Sequence, residues 1–273
     1  MPELPEVEMT RRRLVRWMDG RRVLRAEADE TRVIPPEARA RLASVKGRLR
    51  TTVRRGKHLG LFFGRTIGLY SHLGMTGKWV RRPDGEAPAR YSRARLFLDD
   101  GSVLHFCDPR LFGAFIPMDQ ASLEARLAGL GRDPLEDGLD GPQLRAALGK
   151  TRQAIKVALM DQAKLAGLGN IHAAEALFRA RLFPGRSAAS LTDAELDRLA
   201  RAILDSLQFG MEEQEGEEPA YLEEPGTPNR FLVYGRAGSP CVRCGNPVDS
   251  MVQAQRTTHY CPHCQPAPSP PAG

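Results

Sequence analysis

Four cysteines near the C-terminus constrain the fold of this 273-residue chain more than any other feature. They form two Cys-x-x-Cys pairs, Cys241 with Cys244 and Cys261 with Cys264, separated by sixteen residues. Two such pairs can supply four thiolates in a tetrahedron, which is the closed geometry of a structural zinc site. The alternative is that both are redox-active Cys-x-x-Cys pairs. Such a pair usually lies at the start of a helix in a βαβ unit, and no βαβ unit is evident in this sequence. We therefore expect one structural Zn²⁺ that holds together a small, β-rich finger.

The rest of the sequence divides into a strand-rich half and a helical half. From about Arg22 to Pro117, short apolar runs are bounded by glycine or aspartate, and Asp100-Gly101 between two of them predicts a β-hairpin. From about residue 121, apolar residues recur at helical spacing, and Thr192-Asp-Ala-Glu195 is a capping-box pattern at the start of the last helix. These patterns predict a helix-led β-sandwich or barrel, then a helical region, then the finger.

The charge distribution indicates a polyanionic partner. The net charge is +7, although residues 212–224 carry seven glutamates and no basic residue; without them it would be +14. A basic body of this kind suggests a partner such as nucleic acid, with ordinary solubility as the alternative. No apolar stretch approaches the roughly eighteen residues of a transmembrane helix, and the start lacks an apolar secretory segment. We expect a cytoplasmic protein with no membrane partner.

Three short stretches have both a structural and a functional interpretation. The start, MPELPEVE, is typical of a helix N-terminus, with proline in the first turn and carboxylates at the positive end of the dipole. In AGLGNIH, the glycines permit a compact turn after a helix that is expected to end near Ala163 to Ala166. Asn170 is expected at the N-cap of the next helix, where free N–H groups can bind an anion. Arg256, on the loop between the cysteine pairs, is of a type that binds phosphate bidentately. Each stretch also has a purely structural interpretation. MPELPEVE can be an ordinary helix start, AGLGNIH an ordinary helix connection, and Arg256 a solvated arginine.

Seven segments, taken in order, make the chain resemble the formamidopyrimidine-DNA glycosylase and endonuclease VIII family of base-excision repair enzymes. They are PELPEVE, RRGKHL, HLGMTG, DPRLFG, LAGLGNIHAAEALF, VYGRAGSPCVRC and QRTTHYCPHC. They extend over nearly the whole chain, with the main gap from about Leu207 to Arg230. Leu4 and the zinc finger are more similar to the formamidopyrimidine branch than to the endonuclease VIII branch.

The resemblance implies an α+β fold with a defined domain order. An N-terminal helix and β-sandwich would form the catalytic domain at residues 1–120, followed by a linker at 121–150. A helix-two-turns-helix DNA-binding domain with the acidic loop would occupy 151–229, and a β-hairpin zinc finger 230–266. Residues 267–273 are expected to be a disordered tail.

The resemblance also implies a function. The chain would be a bifunctional glycosylase and AP lyase that excises oxidised bases, chiefly purines of the formamidopyrimidine type, from damaged double-stranded DNA. It would act as a nucleoid-associated monomer. The alternatives are an endonuclease VIII-like enzyme for oxidised pyrimidines and, in a different class, a non-catalytic zinc protein that binds damaged DNA.

In this family the N-terminal proline is the nucleophile, which gives MPELPEVE a second interpretation. After removal of Met1, the nitrogen of Pro2 is a secondary amine, and an α-amino group has a pKa of about 8, roughly two units below that of lysine. Its attack on C1′ would leave an iminium, and β- and δ-elimination would then cleave the strand. Glu3 would protonate the sugar ring oxygen, and Glu6 would position groups or relay a proton.

Further roles are carried over from the same motifs. Lys57 and Arg256 would bind the phosphates beside the lesion, and Lys57 would also assist the elimination. Met75, Arg110 and Phe112 match the wedge positions that fill the space left by an everted base. The complete set expected to contact DNA is Lys57, His72, Met75, Tyr91, Arg110, Phe112, Lys156, Gly169, Asn170 and Arg256.

The chain departs from the family pattern at three places. Leu111 stands where many relatives carry a second arginine, and Tyr91 aligns with a histidine that contacts DNA. Residues 208–227 hold the glutamate run instead of the Thr/Ser- and Arg-containing loop that closes over an everted 8-oxoguanine. Because carboxylates will not lie against phosphates, we expect this segment to point away from DNA or to be mobile, and 8-oxoguanine preference to be weak. The sequence leaves open the preferred lesion, the opposite-base preference and any role of Cys107.

Overall fold

The computed structural model describes residues 2–64, 66–214, 216, 218–222, 224 and 226–268. The chain forms two compact units, Met1–Gly129 with Met211–Thr227, and Leu130–Gly210 with Pro228–Gly273. The acidic segment, which the sequence analysis grouped with the helical domain, is therefore part of the first unit. Two expectations, the removal of Met1 and the disorder of residues 269–273, lie outside the described residues. Across the described ranges, no helix combines the length and the apolarity needed to cross a membrane.

The first unit is a helix-led β-sandwich, as predicted. Its elements are α1 Leu4–Met18, β1 Arg22–Ala28, α2 Pro36–Arg39, a 3-10 turn Leu42–Ser44, β2 Gly47–Arg55, β3 His58–Phe63, β4 Ile67–His72, β5 Lys78–Pro83, β6 Ser92–Leu98, β7 Ser102–Cys107, β8 Ala114–Asp119 and α3 Gln120–Ala128. The antiparallel strands pair in the order β5-β7-β6-β1-β2-β3-β4-β8. Although β5 and β8 end this order, Trp79 of β5 packs against Phe115 of β8 with ring centroids 5.8 Å apart. The sheet therefore folds back on itself around one apolar core.

The local patterns explain the elements that frame this core. In α1, Leu4, Val7, Leu14 and Trp17 recur at helical spacing and are all buried, so one face of the helix closes the sandwich core. The predicted hairpin joins β6 to β7, and Gly101 has a φ of +76°, a left-handed conformation that suits glycine.

The second unit combines helices with the zinc finger. Its elements are α4 Gly141–Leu148, α5 Ile155–Leu159, α6 Asn170–Arg179, a 3-10 turn Ala188–Ser190, α7 Asp193–Glu212, which runs on into the first unit, β9 Asp249–Gln253 and β10 Arg256–Tyr260. The capping box at α7 is confirmed, because Thr192 N–H donates to Glu195 Oε2 at 2.8 Å and Glu195 N–H donates to Thr192 Oγ1 at 3.3 Å.

Two predictions about the AGLGNIH junction were wrong in detail. The preceding helix was expected to end near Ala163–Ala166, but α5 ends at Leu159. Gln162 organises the connection instead, since its Oε1 accepts a hydrogen bond from Gly167 N–H at 2.9 Å and its amide donates to Leu168 O at 2.8 Å. The N-cap of α6 is Gly169, which has an extended backbone, and Asn170 is the first helical residue.

The finger is attached to α6 by one buried carboxylate. Glu175 is fully buried and accepts hydrogen bonds from the backbone N–H groups of Leu232, Val233 and Tyr234 at 3.1, 2.8 and 3.0 Å. A buried carboxylate requires such partners, and here they come from the chain that leads into the finger. Glu175 thus holds the chain that enters the finger against α6.

Candidate functional site

The start of α1 brings together three of the residues singled out by sequence. Pro2, Glu3 and Glu6 are all buried, Glu3 completely. Glu3 is the N-cap of α1, and its backbone N–H donates to Glu6 Oε2 at 2.8 Å, as in a capping box. The result is a pair of buried carboxylates next to the proline. Such a site can donate a proton and can stabilise a developing cation.

The turn that carries Lys57 is tied to α1 by a buried ion pair. Lys57 follows Gly56 between β2 and β3, and Gly56 has a φ of +56°. The buried side chain of Arg54 donates from Nη1 to Gly56 O at 3.2 Å and from Nε to Glu8 Oε2 at 3.1 Å. Burial works to raise the pKa of Glu8, but hydrogen bonds from Arg11 and Arg12 outweigh it and lower that pKa to about 2. Sequence reasoning missed Arg54 and Glu8, although both lie inside motifs that it quoted.

His72 lies beside the Lys57 hairpin as a neutral donor. Its Nδ1 accepts a hydrogen bond from Gly74 N–H at 3.0 Å, which leaves the ring proton on Nε2. Its ring centroid is 4.9 Å from that of His58 on the neighbouring strand. Burial, followed by the positive charges of Arg126 and Lys57, lowers the pKa of His58 to about 4; burial and the same surroundings lower that of His72 to about 4. His72 can therefore offer an N–H group to a phosphate without carrying a charge.

The predicted wedge residues lie on two loops in direct contact. We call residues 73–77, between β4 and β5, the Met75 turn, and residues 108–113, between β7 and β8, the Phe112 loop. Met75 follows β4 and Phe112 precedes β8; Met75 is 36% exposed and Phe112 is 48% exposed. A Cβ atom on Gly74, whose φ is +60°, would lie 2.5 Å from the carbonyl carbon of Phe112, so only glycine permits this approach. Exposed apolar side chains on tightly packed loops are suited to entering a base stack.

A carboxylate that sequence reasoning missed holds both loops. Asp108 is fully buried, and its Oδ1 accepts hydrogen bonds from Thr76 Oγ1 at 2.7 Å and from Arg110 N–H at 3.1 Å. Its Oδ2 accepts from Gly113 N–H at 2.7 Å. Thr76 belongs to the Met75 turn, whereas Arg110 and Gly113 belong to the Phe112 loop. Asp108 was quoted within DPRLFG but assigned no role, because its partner Thr76 is 32 residues away.

The remaining predicted residues of the first unit surround these loops. The guanidinium of Arg110 lies 5.0 Å from the centroid of the Phe112 ring. Tyr91 is exposed, has a φ of +60°, and its carbonyl accepts a hydrogen bond from Asp108 N–H at 3.0 Å. Cys107 is buried on β7, and burial raises the pKa of its thiol to about 11, so it is not a reactive thiolate.

In the second unit the structure brings Lys156, Asn170 and the finger hairpin together. Lys156 is fully buried and its Nζ donates to Asn170 Oδ1, while Asn170 Nδ2 donates to Thr257 O at 2.9 Å. Arg256, next to Thr257, is the first residue of β10 and is exposed after the tight turn at Ala254–Gln255. The side-chain amide of Asn170 thus connects the start of α6, just after Gly169, to the hairpin that carries Arg256.

The four cysteine sulfurs form a cluster that fits one metal ion. All four Sγ atoms lie within 4.8 Å of one another, with Cys241 and Cys264 at 4.0 Å and Cys244 and Cys261 at 3.5 Å. Tetrahedral zinc with Zn–S bonds of about 2.3 Å requires sulfurs roughly 3.8 Å apart. Four thiolates complete the coordination of Zn²⁺ and leave no open position, so the zinc is structural, as predicted.

The acidic segment is held against the first unit. Glu218 pairs with Arg82 at 2.5 Å, and Glu224 pairs with Lys78 at 3.1 Å, both on β5. Two carboxylates of the segment therefore have basic partners within their own unit. That the segment points away from DNA or is mobile stays a prediction. Glu215, Glu217 and Glu223 lie outside the described residues.

Three domain families match successive parts of the chain. Residues 1–115 match the formamidopyrimidine-DNA glycosylase N-terminal domain, and residues 130–219 match the H2TH domain of the same enzymes. Residues 238–267 match a zinc finger found in FPG and IleRS. Together the three matches extend over most of the sequence in the order that the resemblance implied.

Individual proteins give the same result over nearly full length. The formamidopyrimidine-DNA glycosylase of Geobacter metallireducens is 41% identical over 273 residues, which is 97% of this chain and 100% of the relative. The crystal structure of the MutM (Fpg) protein from Thermus thermophilus is 38% identical with a TM-score of 0.80, covering 97% of this chain and 98% of that one. The complex of Lactococcus lactis Fpg with DNA containing an abasic site is 27% identical with a TM-score of 0.86, covering 97% and 100%.

Proposed function

The chain belongs to the formamidopyrimidine-DNA glycosylase family, and from this premise we propose that it is a bifunctional DNA glycosylase and AP lyase of base-excision repair. Its substrate is duplex DNA that carries oxidised bases, chiefly purines of the formamidopyrimidine type. The observation that carries the proposal is the pair of buried carboxylates, Glu3 and Glu6, beside Pro2 at the start of α1. Binding alone requires neither a secondary amine nor buried acids at this place.

The first chemical step forms a covalent bond between Pro2 and the sugar. With Met1 removed, the nitrogen lone pair of Pro2 attacks C1′, and the bond from C1′ to the damaged base breaks with its electron pair leaving on the base. The N–H proton of the resulting ammonium is lost and the departing base takes up a proton. Glu3 then donates its proton to the ring oxygen, the bond from C1′ to that oxygen opens, and the freed nitrogen lone pair forms the iminium. The buried carboxylates stabilise this cation, because charges interact strongly where water is excluded.

Strand cleavage follows from the same cation. The iminium acidifies the C2′ hydrogen; its removal as a proton expels the 3′ phosphate, and a second elimination expels the 5′ phosphate. Lys57 assists by binding the phosphates beside the lesion, with His72 and Tyr91 as further hydrogen-bond donors. Hydrolysis of the remaining iminium releases Pro2 for another turnover.

DNA binding is assigned to both units. From the second unit, Asn170 and Arg256 bind phosphates, as backbone contacts that fix register without reading sequence, and Gly169 lies beside them. Lys156 lies near the bound nucleotide, where its Nζ donates to Asn170 Oδ1. Met75, Arg110 and Phe112 fill the gap left by the everted base. Zn²⁺ supplies no chemistry and stabilises the finger that carries Arg256. We further propose that the protein acts as a monomer associated with the nucleoid. Its catalytic domain would be residues 1–120, followed by a linker at 121–150, the helix-two-turns-helix domain at 151–229 and the finger at 230–266.

A second candidate is an endonuclease VIII-like preference for oxidised pyrimidines. It is favoured by the acidic segment, which replaces the family loop associated with 8-oxoguanine and whose glutamates pair with Lys78 and Arg82. The two candidates share the chemistry and differ only in lesion.

The test is base excision and strand scission on four duplexes, carrying 8-oxoguanine, a formamidopyrimidine, an oxidised pyrimidine or an abasic site. We expect cleavage at the abasic site and fastest excision of the formamidopyrimidine. Faster excision of the oxidised pyrimidine would favour the second candidate. Tight binding to all four duplexes without cleavage would instead identify a non-catalytic binding protein.

A further inference from the structure

The described residues of the acidic segment that follow Glu213, which are 214, 216, 218–222 and 224, form what we term the acidic arm. Its backbone is fastened to α1 by Arg13, a buried arginine that donates to Gly216 O from Nε at 3.0 Å and from Nη2 at 2.9 Å, and also donates to Gln214 O. Within the arm, Gln214 Nε2 donates to Ala220 O at 2.5 Å and Ala220 N–H donates to Gln214 Oε1 at 3.3 Å. The arm is therefore a closed loop attached to the helix whose first residues carry the proposed chemistry.

One side chain of the arm reaches the Met75 turn. Tyr221 is only 4% exposed, and its hydroxyl donates to Gly77 O at 2.7 Å. Gly77 closes that turn, since its N–H donates to Leu73 O at 2.7 Å and an added Cβ would lie 2.4 Å from the same oxygen. Burial, with the negative charges of Glu6 and Glu224 nearby, raises the pKa of Tyr221 well above its usual value. The hydroxyl is therefore protonated, and available as a donor, at physiological pH.

The Met75 turn is thus held at three points. Thr76 donates to Asp108, and Gly74 packs against the backbone of Phe112, so two of the points belong to the Phe112 loop. The third, Tyr221, connects the turn through the acidic arm to α1. This connection is independent of the other two, because it comes from a segment more than one hundred residues further along the chain.

We propose that Tyr221 is a positioning residue that fixes the Met75 turn relative to the helix bearing Pro2 and Glu3. Insertion of Met75 into the duplex and delivery of C1′ to Pro2 must occur together, and a fixed spacing between the two elements couples them. The inference rests on the proposed function and assigns a role to the acidic arm. Its glutamates pair with Lys78 and Arg82 of β5, the strand that continues directly from the turn, and so keep Tyr221 in place.

The principal test is Tyr221→Phe, which removes one hydroxyl and keeps the buried ring. Excision of a formamidopyrimidine from intact duplex in single turnover should slow about tenfold, the effect of one hydrogen bond of typical strength. Cleavage at a preformed abasic site should slow by a smaller factor, because no base has to leave the stack before C1′ reaches Pro2. The matched control is Tyr260→Phe in the finger, whose partly exposed hydroxyl is 3.5 Å from Asp249 Oδ2; it should leave both rates unchanged.

A second measurement reports wedge insertion without catalysis. A duplex with a non-cleavable abasic analogue and 2-aminopurine opposite it should brighten on binding, and Tyr221→Phe should reduce that amplitude. Lys78→Glu should reduce it too, and adding Glu224→Lys should restore it by rebuilding the ion pair in reverse. These variants test the arm even if Tyr221→Phe does not fold.

The outcomes separate the inference from the proposed function. Equal slowing of both substrates by Tyr221→Phe, or an unchanged fluorescence amplitude in Tyr221→Phe and Lys78→Glu, would overturn the positioning role. Brightening with an unsubstituted protein that cleaves none of the lesions, together with a reduced amplitude in Tyr221→Phe, would refute the proposed function while supporting the role of Tyr221.

Discussion

Arg54 Nε donates to Glu8 Oε2 at 3.1 Å, and both side chains are buried. The same guanidinium holds the carbonyl of Gly56, the residue before Lys57. One buried ion pair therefore connects the helix that carries the proposed nucleophile to the turn that carries the proposed phosphate-binding lysine. Because both charges are desolvated, removal of the Glu8 carboxylate takes away compensation for the buried charge of Arg54.

Substitution of Glu8 tests this connection through stability. Glu8→Gln should lower the free energy of unfolding by about 3 kcal/mol at pH 7, the lower end for breaking a buried pair. The control is Glu27→Gln, because the Arg25–Glu27 pair is exposed; it should change the free energy by less than about 1 kcal/mol. Urea titrations give both values. Since the pKa of Glu8 falls from 4.5 to about 2 on folding, its contribution is present above pH 4.5 and is lost as the pH falls towards 2. A cost for Glu8→Gln no larger than the control would contradict the account.

The His58–His72 pair predicts a second pH effect. Both groups have a folded pKa of about 4 against 6.5 when exposed, so the unfolded chain binds more protons between these values. The contribution of the two histidines to the free energy of unfolding should therefore be fully present above pH 6.5 and decrease as the pH falls to 4. His58→Phe should make this decline shallower, by less than the roughly 1.4 kcal/mol per pH unit that one proton gives. The control is His263→Gln, at an exposed position. It should leave the dependence of the urea unfolding midpoint on pH unchanged. Identical slopes for all three proteins would show that the pair is not neutralised by burial.

Arg256→Ala should weaken DNA binding without regard to sequence. A phosphate contact carries no base information, so affinity for every duplex should fall by a similar factor. The slope of log K against log salt should also become shallower by about one unit. Arg201→Ala, on the exposed face of α7, is the matched control of equal charge. Fluorescence anisotropy over a salt series makes the comparison. An unchanged slope would remove Arg256 from the interface.

Removal of the metal should separate DNA binding from the stability of the first unit. The two tryptophans of the chain, Trp17 and Trp79, both lie in the first unit, so their fluorescence reports on that unit alone. A chelator strong enough to extract zinc should reduce DNA affinity at least about tenfold, because the finger folds around the metal. The tryptophan-monitored unfolding midpoint should stay the same. A parallel loss of both signals would mean that the zinc supports the whole chain.

The sequence predicted the features that depend on short-range patterns. The cysteine spacing predicted the zinc cluster, Asp100-Gly101 a hairpin and Thr192 a capping box, since each is specified within a few residues. Asp108, Arg54 and Tyr221 were missed because their partners are 32, 46 and 144 residues away, and only the tertiary fold makes them neighbours. The partners of the acidic segment could not be predicted for the same reason. Its charge indicates repulsion from DNA, but Arg13, Lys78 and Arg82, which hold it within its own unit, are distant in sequence.

The central claim is that the nitrogen of Pro2 forms the covalent bond to C1′. Borohydride reduction during reaction with a duplex carrying a formamidopyrimidine would convert the iminium into a stable protein–DNA adduct. Mass spectrometry of its peptides then identifies the attached residue. We predict an adduct on Pro2 in protein confirmed to lack Met1, and none after Pro2→Gly. Attachment to a lysine, or strand cleavage at the normal rate by protein that retains Met1, would contradict the account.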